Sequence, residues 1–132
     1  MRRNRLHFLC AGFGLLLAAA PAVSHHSFAA QYDRSKPVTL KGTVTKMEWM
    51  NPHIYFYLDV KDEAGNVARW AVEGGNPSGL YRAGWRKDSL KPGDVVTVDG
   101  WLAKDGTNLA NMRTAILADG KRVFGASSGG DR

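Results

Sequence analysis

One cysteine occurs in 132 residues, and it is Cys10. It stands inside an apolar stretch close to the N-terminus. If that stretch is removed, nothing remains for thiol catalysis, structural zinc thiolates or disulfides. Cys10 also lacks the small preceding residue of a lipoprotein cysteine. Long hydrophobic runs are equally scarce. The uncharged run from Phe8 through Ala20 falls short of the roughly 20 residues a spanning helix needs. It holds two glycines and ends at Pro21. Gly-rich phosphate loops and nucleophile elbows are missing too. Gly74-Gly75-Asn76-Pro77-Ser78-Gly79 has no Lys-Ser/Thr pair, and Ser78 and Ser89 lie in no elbow. Asp62 and Glu63 are turn carboxylates. With no carboxylate pair suited to acid–base work, the chain leans away from an enzyme.

What is present begins with export. Arg2, Arg3 and Arg5 form a charged n-region ahead of the apolar run, so residues 1–24 read as a secretory signal peptide. Ala20-Pro21-Ala22 predicts a cut before Val23, and Ala22-Val23-Ser24 predicts one before His25. A third site, Ser27-Phe28-Ala29, would discard His25 and His26. The competing reading is an uncleaved anchor. Processing implies a periplasmic or secreted bacterial protein with no stable membrane span. Without the signal's three arginines, fifteen basic residues face twelve acidic ones. That is an ordinary soluble surface, so no nucleic-acid partner is expected. The 108 or so remaining residues suffice for one small domain with one core.

Residues 25–37 read as a polar lead, 38–124 as the folded domain and 125–132 as a flexible tail. Val38, Leu40 and Val44 alternate with polar residues, and Gly42 marks an expected bulge or bend. Ile54, Phe56, Leu58 and Val60 alternate in a second strand. Asp62-Glu63-Ala64-Gly65-Asn66 is a hairpin turn by composition, and Val67 to Glu73 returns with Trp70 and Val72 inward. Asn76 caps a short helix with Pro77 at its first position, Leu80 and Tyr81 form its apolar side, and Gly84 stops it. Lys91-Pro92-Gly93-Asp94 is a turn. Val95 to Leu102 and Met112 to Leu117 are further strands, with a return toward Val123-Phe124. This order predicts an all-β, mainly antiparallel fold. It is an OB-like barrel of five to six strands with one short helix between strands three and four. An open sandwich of the same strand count is the alternative.

Three strings carry a resemblance. They are His25-His26-Ser27-Phe28-Ala29-Ala30, then Glu48-Trp49-Met50-Asn51-Pro52-His53, then Gly84-Trp85 with Asp88-Ser89-Leu90-Lys91-Pro92-Gly93-Asp94. In this order they resemble the bacterial family catalogued as domain of unknown function 6152. The resemblance spans nearly the whole mature chain and implies a small secreted protein of unassigned role. It brings no catalytic residues with it.

The histidines direct attention to metals. Cleavage before His25 leaves an amine and an imidazole on one residue, and a second imidazole would complete a T-shaped brace. Cleavage before Val23 places His25 third, where amine, backbone amides and imidazole wrap Cu(II) or Ni(II) in a square plane. Both registers favour Cu(II). His26 and His53 are the remaining imidazoles after processing. His53 lies in the connection between strands one and two, a usual OB binding loop. Met47, Trp49 and Met50 lie near it in sequence as possible soft ligands or neighbours. This set resembles, in residue types only, the periplasmic copper chaperones of efflux systems. The bland reading has Met47 and Trp49 in the core and Asn51-Pro52-His53 as a structural turn. An alternative binding face is Tyr55, Tyr57 and Arg69 on strands two and three. It suits a glycan or protein partner without metal, against ordinary cross-strand pairing. The expectation is therefore an exported, non-enzymatic domain that carries, buffers or delivers copper, or else a metal-free accessory module.

Overall fold

The computed structural model describes residues 28–125. The expected signal peptide, His25, His26 and residues 126–132 lie outside the described residues. Alternation of apolar and polar side chains produces β1 (Tyr32–Glu48), β2 (Tyr55–Lys61), β3 (Val67–Glu73), β4 (Val95–Ala103), β5 (Leu109–Ile116) and β6 (Arg122–Phe124). Two short helices accompany them, α1 (Phe28–Gln31) and α2 (Pro77–Arg82). The strands run in the order β3-β2-β1-β4-β5-β6, each antiparallel to its neighbour. A parallel pairing of Ala71–Glu73 with Leu109–Asn111 joins β3 to β5 and closes the ring. This is the OB-like barrel expected from the strand order, with β6 added at one side. Closure leaves few backbone edges exposed, which a chain this short needs.

The inward positions fill one core. Leu40, Val44, Ile54, Phe56, Leu58, Val72, Val96, Val98, Ala110 and Met112 are buried there, together with Leu80, Trp85 and Leu90 around α2. The cap of α2 follows the sequence. The Asn76 side chain accepts from the Gly79 N–H at 2.7 Å, and Pro77 needs no hydrogen-bond acceptor at that position. Leu80 is buried, whereas Tyr81 is exposed and stacks under the Arg86 guanidinium at 4.0 Å. Only half of the expected apolar side of α2 therefore faces the core. The 62–66 turn forms as its composition predicts, with Gly65 at φ 84°.

Two expectations are corrected by the sheet. The polar lead is not separate from the fold. From Phe28 it forms α1 and then β1, which begins at Tyr32, six residues before Val38. Asp33 to Pro37 resemble a linker because most of those residues are polar and exposed, and a proline seldom sits inside a strand. Here the register of β1 on β4 shifts between Tyr32 and Pro37, and the ladder absorbs the irregularity. The second correction concerns Gly42. The β1–β2 bulge falls between Val44 and Lys46, not at Gly42. Gly42 serves close approach instead, since a Cβ there would lie 2.7 Å from the Asp59 carbonyl oxygen.

A second, smaller cluster lies outside the barrel. Phe28, Tyr32 and Ala103 are buried together, with Trp101 and Leu109 packed on them. The N-terminal segment therefore covers part of the outer surface of β4 and β5.

Candidate metal centre

One cross-strand row runs around the outside of the barrel. Glu48 opposes Tyr55, Tyr55 opposes Glu73, Glu73 opposes Asn111, Asn111 opposes Trp101, and Trp101 opposes Pro37. Paired residues share a face, so these side chains crowd the same surface. α1 and the start of β1 lie over part of that row, which buries what would otherwise be solvent-facing. Glu73 is 3% exposed and Asn111 is fully buried.

Burying the Glu73 carboxylate costs several kcal/mol unless donors surround it. They do. The Tyr32 hydroxyl donates to Oε2. Nδ1 of His53 meets Oε1 at 2.5 Å. Tyr55 adjoins the same carboxylate. Burial first, and then the charge and hydrogen bonding of Glu73, push its phenol up to about 12. Tyr32 is raised further still, by burial and by Glu73. Both phenols therefore stay protonated and act as donors. Asn111 lies near enough to the Tyr32 hydroxyl to oppose that rise, yet neither amide atom reaches a partner of hydrogen-bonding geometry among the described residues.

Local backbone features place His53 in this cluster. Ile54 donates to the Gly75 carbonyl and accepts from the Gly74 N–H, both at 3.0 Å, which ties the β1–β2 connection to the end of β3. Gly74 permits the contact, because a Cβ there would lie 2.7 Å from the Ile54 side chain. Gly74, which reads as part of a strand break, thus also lets the β1–β2 connection close on the end of β3. The His53 side chain remains 22% exposed. With Nδ1 engaged by the carboxylate, Nε2 is the nitrogen left to accept or to ligate. A carboxylate holding the far nitrogen fixes the tautomer and the ring orientation, a common arrangement behind metal-bound imidazoles.

The other candidate residues separate. Met47 opposes Phe56 on the inward face, and both Met47 and Trp49 pack against the core. Met50 is 49% exposed. His53 turns to Glu73 on the outer row, whereas Met47 and Trp49 pack against the core. Tyr57 donates to Glu48 at 3.1 Å, with Lys46 over its ring at 5.7 Å. Arg69 sits 3.7 Å from Asp59. The face containing Tyr55, Tyr57 and Arg69 is thus occupied by cross-strand partners from the same chain. Among the described residues, no group of three His, Cys, Asp or Glu side chains could hold a metal ion. They supply His53 and the carboxylate behind it.

Sequence reasoning missed Glu73, Tyr32 and Asn111. Glu73 was legible in principle, since it is in phase with Arg69 and Ala71 on the outward face of β3. Tyr32 was hidden by the polar residues after it. Asn111 required knowledge that β5 lies beside β3.

No match was found among curated proteins. A solved structure of TiaS, the ZRD-deleted mutant in complex with agmatine, shares the fold. It is 21% identical with a TM-score of 0.51, over 76% of this chain and 28% of that one. A second TiaS structure, in complex with an isoleucine transfer RNA and ATP, is 20% identical with a TM-score of 0.47, over 64% and 18%. The chain thus spans less than a third of the length of either. The model of a family of unknown function, DUF6152, matches residues 14–112, and the chain belongs to that family.

Proposed function

We propose that the protein is an exported, non-enzymatic copper-binding domain, which joins Nε2 of His53 to the histidines and the free amine of its processed N-terminus. The observation that carries this reading is the Glu73–His53 contact at 2.5 Å, which leaves one imidazole nitrogen oriented and partly exposed. The described residues offer that single nitrogen, and a Cu(II) site needs three or four ligands. His25, His26 and the amine are the further nitrogens that would complete it. Nitrogen ligands in tetragonal geometry favour Cu(II) over the other divalent metals of the first row. The role that suits such a site is carriage, buffering or delivery outside the cytoplasm.

Burial of Phe28 supports retention of the histidines. Phe28 is 7% exposed. A cut before Ala30 would remove this packed aromatic, whereas cuts before Val23 or His25 keep it.

The test is a competition titration of Cu(II) into protein with its natural processed N-terminus and into protein bearing one extra N-terminal Met. The amine of the added Met lies in the wrong register, so its affinity is expected to fall about tenfold or more. Equal affinities contradict the reading. Binding displaces a proton from the terminal amine, whose ordinary pKa is near 8, so affinity should also fall as pH drops below about 8.

A further inference from the structure

α2 sends Leu80 into the core and turns another large side chain outward. Leu80 is fully buried, whereas Tyr81 is 58% exposed. Residues three and four apart share a helix face, so Pro77 and Ser78 line up with Tyr81 and Arg82. That outward face and Trp49, the residue after β1, line an open cleft of about 400 Å³. Trp49 is anchored, because it also packs against the core. Tyr81 is held as well. The Arg86 guanidinium lies 4.0 Å from its ring centroid and donates to the carbonyls of Tyr81 and Trp85 at 3.2 and 2.7 Å. Those bonds fix the cation over the phenol ring. Arg82 is the one charged side chain lining the cleft, and its guanidinium has no partner among the described residues.

We propose that this cleft binds an oligosaccharide carrying a uronic acid, held between Trp49 and Tyr81 with its carboxylate on Arg82. Such binding is independent of the copper reading. Aromatic planes offer apolar area to the C–H face of a pyranose ring at little cost in side-chain order. The Ser78 hydroxyl can donate and accept, as ring hydroxyls require. Arg82 supplies a forked donor that matches a carboxylate with two parallel bonds. No Asp or Glu lines the cleft, so its charge favours an anionic ligand over a cationic one. The volume suits a small ligand. The lining residues belong to one short helix and one tryptophan, with no strand edge for an extended peptide to pair with. A proline-rich segment would need a longer run of aromatic pockets than one Trp and one Tyr provide. The face of β2 and β3 that holds Tyr57 and Arg69 is filled by its own cross-strand partners, so α2 supplies the accessible aromatic surface.

The test follows the Trp49 indole N–H by nuclear magnetic resonance while the full protein is titrated with a galacturonic acid tetramer. The same tetramer with its carboxylates methyl-esterified is the neutral control. The acid is expected to shift the Trp49 signal and to bind about tenfold more tightly than the ester. Arg82→Gln should remove that preference while changing the affinity for the ester by less than about twofold. Tyr81→Ala should weaken both ligands about tenfold. Both side chains are exposed, so neither change should move the melting temperature by more than about 4 °C. Weaker binding in these variants is then a lost contact and not a lost fold. The proposal is overturned if the tetramer leaves the Trp49 signal in place at about 10 mM. It is overturned equally if Arg82→Gln still prefers the acid as the unmodified protein does. A proline-rich acidic peptide that moves the same signal at lower concentration than the tetramer would also overturn it, in favour of a peptide groove.

Discussion

Glu73 ends a strand in the sequence, and in the fold the outer face is arranged around it. A buried carboxylate with phenol and imidazole donors is stable only while the donors remain. Tyr32→Phe keeps the packing against Phe28 and removes one of them. It should cost about 1–3 kcal/mol in urea unfolding, and a loss below about 0.5 kcal/mol would contradict the donor role. The same cluster predicts a response to alkali. Tyr55 has a folded pKa of about 12 against 10.0 for a free phenol, raised by burial and by Glu73. Its contribution to stability is fully present below pH 10 and is lost as pH climbs toward 12, because the unfolded chain ionises first. Tyr32 acts in the same direction. Melting temperature should therefore fall across this window, and Tyr55→Phe should flatten the fall. An identical slope in the variant rejects the assignment.

At the scale of elements, the sequence was legible wherever one residue fixes one geometry. Asn76 and Pro77 announced α2, and Asn76 accepts the Gly79 N–H as that reading requires. Asn76→Ala should cost about 1 kcal/mol and Asn76→Asp much less, measured by thermal unfolding. Alternation placed β2 and β3 within a residue or two. It failed where a strand is solvated and irregular. Asp33 to Pro37 shows no alternation, because this part of β1 has its side chains largely in water while its pairing with β4 slips. It failed also where a glycine serves a neighbour instead of its own strand. Gly42, Gly74 and Gly100 are close-approach positions, which a single sequence does not distinguish from bends. At Gly100 a Cβ would lie 2.0 Å from the Asn111 carbonyl oxygen, so the β4–β5 ladder must part to admit it. Gly100→Ala is expected to destabilise by about 1–3 kcal/mol and to disturb the row beneath Tyr32. A neutral effect on the melting temperature would contradict so tight an approach.

The whole molecule combines a closed barrel with a short N-terminal cover. Barrel closure was inferable from strand count and order, since few residues must hide many edges. The cover was not, because its contacts join residues far apart in sequence, such as Tyr32 with Glu73 and Phe28 with Trp101. That arrangement bears on what the His25-His26 pair can do. In the sequence the pair lies ahead of an apparent linker. In the fold its neighbour Phe28 is fixed to the barrel, three contacts from His53. The most direct test is electron paramagnetic resonance of the naturally processed protein holding one equivalent of Cu(II), compared with its His53→Ala variant. A copper site shared between terminus and barrel predicts nitrogen hyperfine structure in which the variant has lost one imidazole. Identical spectra would show that the barrel contributes no ligand and would contradict a shared site.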